Sequence, residues 1–349
     1  MMPLRPDLGG IPLYAPSPLD DVSLDLRDNV NLWGTPPSAL RAVQAATTEL
    51  LREYPRVSAG ALTQAVAAPL GIAADQVVAG CGSDDVLDAC IRAVATDGAT
   101  LAHADPTFSM IPTFARLNRV TPIAVPLRRD GAMDVDALLA TRAAIIYACS
   151  PNNPTGTVTP RGELVRLFDE APGIVLLDEA YGEFTDAHDL RREAAQRENV
   201  LVTRTFSKAW GLAGLRVGYG VGSAALVAAV TKARGPYKVN AAAELAAAAA
   251  LTQDGEWVRE VARQTCIERD RLAAAMRRLP GVTVWASEGN FVFAALDRPA
   301  KDVADRFRSR GIGVRAFSGL PGIGDALRIG AAPTAETDRV IAALDEVFA

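Results

Sequence analysis

One unit recurs through the middle of this chain: a short apolar, β-branched run, then a loop rich in Gly, Pro, Asn or Ser, then a helical pattern. QVVAG (76–80) opens onto CGSDD and DDVLDACIRAV, and ATLAHA (99–104) onto DPTFSMIPTF. AAIIYAC (143–149) opens onto SPNNPTG, and GIVLLDEA (173–180) onto YGEF. NVLVTRT (199–205) opens onto FSKAWGLAG, and LRVGYGV (215–221) onto an Ala-rich helical stretch. Runs that are apolar at every position, rather than at alternate ones, belong to strands buried on both faces. Separated by helices, they imply a parallel sheet covered on both sides. Ligands of such sheets sit beyond the carboxyl ends of the strands, and the polar clusters above all follow strands. The expectation is an α/β fold with a large doubly wound domain, a mostly parallel sheet and one shared site.

The last hundred residues read differently. WVREVARQTCIERDRLAAAMRRL (257–279) has the spacing of a long amphipathic helix, and GVTVWAS, NFVFAAL, GIGVRAF and ALRIGAA read as short strands among helices. This predicts a smaller α+β domain. Residues 1–40 have little periodicity and are expected to wrap over the core and join it. The predicted division is a large domain over 41–245, and a small domain from 1–40 and 246–349 that includes an N-terminal arm.

Composition narrows the function. The 349 residues are 49% hydrophobic and 22% charged, enough to bury a core without disulfide or metal staples. Lys and Arg number 36 against 41 Asp and Glu, and a net charge of -5 argues against nucleic acid and anionic membranes as partners. The only histidines are His103 and His188; Cys81, Cys90, Cys149 and Cys266 show no ligand spacing, so no metal is expected. The cysteines read as small buried hydrophobes. The start has no signal-peptide stretch, and AAAELAAAAAL (241–251), interrupted by Glu244, is too short to span a bilayer and reads as an Ala-rich helix. A cytoplasmic protein is expected.

The strongest motif is TRTFSKAWGLAGLRVGYG (203–220). A lysine past a strand end is ordinarily solvated, but Lys208 stands among Thr205, Ser207 and Arg216, whose hydroxyls and guanidinium suit a phosphate. An amine beside a bound phosphate is what Schiff-base attachment of pyridoxal 5′-phosphate requires. In LLDEAYGEF (176–184), Asp178 closes an apolar run. It either caps the next helix or, buried, needs a cationic partner such as a protonated pyridine nitrogen. Tyr181 follows three residues on. In CSPNNPTGT (149–157), a tight loop offers the neutral amide of Asn153. GCGSDD (80–85) opens a helix, either as an anion site on its amides or as a plain capping sequence, and it departs from the dinucleotide GxGxxG pattern.

PNNPTG, DEAYGEF and TFSKAWGLAGLRVGY, in that order and at these spacings, carry a resemblance that extends from LRPDLGGIPLY to the C-terminal LRIGAAPTAETDRVIAAL. The chain resembles fold-type I pyridoxal-phosphate aminotransferases, and among them histidinol-phosphate aminotransferases most. The resemblance implies an aspartate aminotransferase-like fold and assigns roles. Lys208 would hold the cofactor and serve as the general base. Asp178 would keep the pyridine nitrogen protonated. Asn153 and Tyr181 would bond the phenolic oxygen, and Phe108 would stack on the ring. Thr205, Ser207, Arg216 and the amides of Ser83 and Asp84 would bind the phosphate, joined by Tyr54 from a second subunit, which implies a homodimer with shared sites. Arg328 would grip the substrate α-carboxylate, with Asn153 also facing the substrate. Tyr14 and Arg315 would face its distal end, where a phosphate would lie, although Arg315 also reads as a solvated surface residue.

The implied reaction is transamination between glutamate/2-oxoglutarate and a keto substrate, foremost imidazole-acetol phosphate in histidine biosynthesis. Alternatives are an aromatic amino acid aminotransferase and an amino-acid-phosphate decarboxylase of the same fold; a pyridoxal-phosphate sensor module would need a DNA-binding domain for which 349 residues leave no room. The N-terminal stretch Asn29-Val30-Asn31-Leu32-Trp33-Gly34 departs from the usual Asn-Glu-Asn-Pro-Tyr-Gly, and the departure is expected to alter the mouth of the site.

Overall fold

The computed structural model describes residues 5–11, 13 and 22–349, so Tyr14 lies outside the described residues. After β1 (Leu24–Asp25) come β2 (Val77–Gly80), β3 (Thr100–Asp105), β4 (Thr121–Pro126), β5 (Ile145–Cys149), β6 (Ile174–Asp178), β7 (Val200–Thr205) and β8 (Gly218–Val221). Strands β2 to β8 form one sheet in the order β2-β8-β7-β6-β5-β3-β4. Its pairings are parallel except the two made by β8.

Alternation along each central strand feeds two cores. Tyr147, Leu176 and Leu201 point to one face, against Val86, Leu87 and Ile91 of the helix Gly82–Val94 and Val227 and Val230 of the helix Ala224–Arg234. Ile146, Leu177 and Val202 point to the other, against Leu164, Leu167 and Phe168 of the helix Arg161–Glu170. Both faces are covered, which is why every residue of β5 and β7 is buried and the strands read as unbroken apolar runs. Each such Leu, Ile, Val or Phe contributes roughly 1.5–3 kcal/mol on burial.

Two features depart from the sequence expectation. LRVGYGV contains β8, but β8 runs against its neighbours, so the helix after it starts at the opposite edge and Arg216, two residues before it, lies at the ligand edge. TPIAVP forms β4, unread in the sequence because Pro122 and Pro126 interrupt it; it is an edge strand, where proline is tolerated.

Beyond them lie β9 (Val282–Val284), β10 (Phe291–Leu296), β11 (Ile312–Gly313), β12 (Arg315–Leu320) and β13 (Gly324–Gly330). A second, antiparallel sheet has the order β12-β13-β10-β9, and β1 pairs with β11 in parallel. Leu24 and Leu26 thereby enter a separate core with Val292, Phe307, Leu327 and Ile329, which is how the N-terminal segment joins the smaller unit. A boundary at residue 245 cuts the helix Ala241–Gln253, whose Ala243, Ala246, Ala247 and Ala250 pack in the larger core. The cores part inside the long helix Gly255–Met276: Val258 and Ala262 face the larger and Leu272, Ala273 and Met276 the smaller.

Candidate active site

The carboxyl ends of β2, β3, β5, β6 and β7 and the amino end of β8 meet at one edge of the large sheet. There a cleft of about 530 Å³ opens toward β12 and β13. It is lined by twelve of the residues singled out in the sequence: Ser83, Asp84, Phe108, Asn153, Asp178 and Tyr181, then Thr205, Ser207, Lys208, Arg216, Arg315 and Arg328. Tyr54 is not among them. It is 84% exposed and stacks on Tyr237, with ring centroids 4.9 Å apart.

One end of the cleft is built for an anion. The helix Gly82–Val94 begins there, and its first amides, with Thr205, Ser207 and Arg216, surround the site. Arg216 sits 3.6 Å from Asp84 and donates to Ser207 Oγ at 3.4 Å. The close approach depends on two glycines. Gly82 has φ +80°, and a Cβ on it would lie 2.8 Å from Arg216 Nη2. A Cβ on Gly218 would lie 2.4 Å from the Ser83 amide nitrogen, a backbone atom that cannot swing aside. Gly218→Ala is therefore expected to displace the helix start. With overpacking worth about 1–3 kcal/mol, pyridoxal phosphate should bind roughly tenfold to a hundredfold more weakly, as read by fluorescence titration of the cofactor-free protein. Unchanged affinity would contradict the cradle.

At the centre, Lys208 follows the end of β7 and its Nζ donates to the Asp28 carbonyl at 2.7 Å. Burial, aided by the Arg328 guanidinium, pushes its amine down to about 8, against the pull of Asp28 and Asp84. A lysine so placed is substantially neutral at mildly alkaline pH, as a nucleophile or base must be. Asp178 ends β6 and is 3% exposed. It accepts from the Tyr147 hydroxyl at 2.8 Å, the Thr203 hydroxyl at 3.2 Å and the Ala180 amide at 3.1 Å. These donors are neutral, and burial pushes the carboxyl up to about 6 despite them. A buried carboxylate that faces a cleft and is bonded only to neutral donors among the described residues is suited to a protonated ring nitrogen. The capping alternative is overtaken: only the Ala180 bond belongs to it, and Tyr181 leads into a short 3-10 turn, Gly182–Phe184.

Asn152 pins the PNNPTG loop by bonds to Thr107, Pro106 and Thr155, leaving Asn153 to face the cleft. Arg328 on β13 donates to Asn153 Oδ1 and to the Arg27 carbonyl, and lies over the rings of Phe291 and Phe317. Arg315 on β12 is directly opposite Arg328 in the antiparallel register. Side chains so paired share a face with Cβ atoms roughly 5 Å apart. Arg315 therefore stands beside Arg328 at its base, on the same face of the small sheet. Among the described residues no hydrogen bond or ion pair involves the Arg315 side chain, and it is half-buried rather than solvated. Leu32 and Trp33 do not line the cleft. Leu32 packs on the smaller core, and Asp28 and Asn29 stand at the mouth instead.

Three residues were missed by the sequence reading. Tyr147 and Thr203 hold Asp178 from the neighbouring strands; the signal was a hydroxyl in each of the two runs beside the strand that Asp178 ends. Asn29, whose side chain donates to the Tyr181 hydroxyl at 3.1 Å, carried no local signal, since 152 residues separate the two. Among the described residues, no cluster of His, Cys, Asp or Glu fits a metal ion, and no helix is long and apolar enough to cross a membrane.

The donor set fits the phosphate, aldehyde and ring nitrogen of pyridoxal 5′-phosphate, and comparison with known proteins points the same way. A family model described as aminotransferase class I and II matches residues 22–344. The aromatic amino acid aminotransferase of Corynebacterium glutamicum (strain R) is 34% identical over 354 residues, covering 99% of each chain. The histidinol-phosphate aminotransferase of Roseiflexus castenholzii is 35% identical over 368 residues, covering 99% of this chain and 98% of that one. The crystal structure of histidinol-phosphate aminotransferase from Sinorhizobium meliloti, in complex with pyridoxal-5′-phosphate, superposes with a TM-score of 0.92 at 28% identity, covering 100% of this chain and 98% of that one.

Proposed function

The chain belongs to the class I and II aminotransferases, pyridoxal-phosphate-dependent enzymes, and from that premise we propose that it exchanges an amino group between glutamate/2-oxoglutarate and imidazole-acetol phosphate, forming histidinol phosphate. The cofactor, when bound, supplies an electron sink for the pair released at the substrate's α-carbon. Everything else falls to the chain. Lys208 Nζ would hold the cofactor and then move the α-proton. Asp178 would keep the ring nitrogen protonated, and Phe108 would stack on the ring. Asn153 and Tyr181 would bond the phenolic oxygen. The amides of Ser83 and Asp84, with Thr205, Ser207 and Arg216, would hold the phosphate.

The observation that carries the substrate assignment is the cross-strand pair Arg315–Arg328. Like charges directly opposite on one sheet face are unfavourable, so two guanidinium groups facing one cleft call for two negative charges between or beyond them. Glutamate brings two carboxylates, and histidinol phosphate a doubly charged phosphate. Phenylalanine brings a single carboxylate. The aromatic reading has its own support, since Phe108, Met110 and Phe317 line the same cleft and similarly related enzymes bear that name.

The half-reactions separate the two. The loaded enzyme should lose its visible band with glutamate and with histidinol phosphate, and up to ~10⁴-fold more slowly with phenylalanine or tyrosine, the ratio expected when a site built for a polar group meets a substrate lacking it. Equal rates with phenylalanine would move the assignment to aromatic amino acids.

The homodimer is part of the same proposal. Leu40, Leu51, Val57 and Leu245 are exposed on neighbouring elements around the stacked Tyr54 and Tyr237. An apolar patch of this kind marks a protein interface, and in a dimer it would carry Tyr54 to the partner's phosphate site.

A further inference from the structure

The N-terminal strap crosses the mouth of the cleft, and one of its side chains reaches the centre. Asn29 is 1% exposed, adopts the left-handed backbone conformation at φ 54°, and has its carbonyl held by Asn290 Nδ2 at 2.9 Å. From this fixed position its Nδ2 donates to Tyr181 Oη at 3.1 Å. Tyr181 is itself 2% exposed, and no acceptor for its hydroxyl proton is found among the described residues, although the residue lines the cleft.

A phenolic oxygen has one proton to give and lone pairs to receive. With a lone pair engaged by a buried amide on the strap side, the proton is left to point the other way. We propose that Asn29 is a positioning residue: by donating to Tyr181 Oη it turns the tyrosine's proton into the cleft, toward an anionic oxygen of the bound group. This rests on the reading of Tyr181 as a partner of the cofactor's phenolic oxygen. Burial pushes the Tyr181 hydroxyl up to about 12, so the proton is present to be aimed. Without that donor the directed bond would be lost, since no other hydrogen bond to Tyr181 Oη is found among the described residues.

The test reads the pH at which the visible band of the cofactor-loaded enzyme titrates. A hydrogen-bond donor to the bound group's anionic oxygen stabilises its deprotonated form and so lowers the pH at which the band titrates. Tyr181→Phe removes the donor and should raise the titration by about tenfold in proton affinity, the scale of a hydrogen bond to a charged group. Asn29→Gly keeps the left-handed backbone and should raise it in the same direction by about threefold, and in the Tyr181→Phe background it should add nothing. Lys208, Arg328, Asp28, Asp84, Asp178 and Arg216, the charges around this point, are untouched, because every substitution exchanges neutral groups. If Tyr181→Phe moves the titration and Asn29→Gly does not, or if the Asn29 effect persists undiminished without the tyrosine hydroxyl, the positioning role is overturned. If Tyr181→Phe itself has no effect, the reading of Tyr181 falls, and this inference with it. Should Asn29→Gly fail to retain cofactor, Asn29→Ala carries the same comparison, with thermal unfolding recorded for each variant.

Discussion

Lys208→Ala is expected to lower amino transfer from glutamate by at least roughly 10²–10⁴-fold, the contribution of a positioned proton-transfer group alone. Loss of covalent attachment deepens the defect. The other cations of the cleft do not replace it: Arg216, Arg315 and Arg328 cannot give up a proton, and the two histidines lie outside the lining. The pH dependence of cofactor loading follows from burial of the amine. Its value in the folded chain is lowered from 10.5 to about 8, so the neutral, nucleophilic form accumulates as pH rises toward 8 and saturates above it. Loading of the cofactor-free protein should therefore accelerate from pH 6 to about 8 and then level off. Lys208→Arg should not load at any of these pH values. A Lys208→Ala protein that turned over at the native rate would contradict the role assigned to this residue.

Asp178→Asn should separate activity from stability. For activity, removing the carboxylate leaves a buried cationic ring nitrogen without its partner. Broken buried pairs cost about 3–5 kcal/mol, so turnover should fall by about 10²–10⁴-fold. For the cofactor-free chain the sign reverses. The folded-state carboxyl lies above its ordinary value, at about 6 against 3.8. The native state then binds the proton first as pH falls, and the penalty of a buried charge is fully present above pH 6 and gone below about 4. At ~1.4 kcal/mol per unit the penalty is on the order of 3 kcal/mol. Asp178→Asn, which carries no such charge, should melt at a higher temperature than the unsubstituted cofactor-free protein at pH 8, with the gap closing toward pH 4. A midpoint lowered at pH 8, together with full activity, would mean that Asp178 serves packing and not chemistry.

The site was legible where its chemistry is local. Asp178 ends a buried strand and Lys208, Asn153 and the helix start at Gly82 lie a few residues past one, and a parallel sheet gathers such ends at one edge without further information. Strand direction was not legible. LRVGYGV has the same apolar character as its neighbours, and only the pairing shows that β8 is reversed, which is what places Arg216 at the phosphate end. Tyr147 and Thr203 read as strand interior because one polar tip in a buried run has no meaning until the neighbouring strand ends in a carboxylate. Asn29 was noticed as part of a pattern but given no role, because its partner is distant in the chain and its backbone conformation cannot be read from its neighbours. That Arg315 stands directly opposite Arg328 was not legible either, because the register of two antiparallel strands decides which residues face each other.

The account turns on a single nitrogen. Borohydride reduction of the pyridoxal-phosphate-loaded protein, followed by proteolysis and mass spectrometry of the modified peptide, locates the attachment directly. The predicted result is one modified residue, Lys208, within TFSKAWGLAGLR. Modification at any other lysine, or no modified lysine after reduction of the loaded protein, would contradict it.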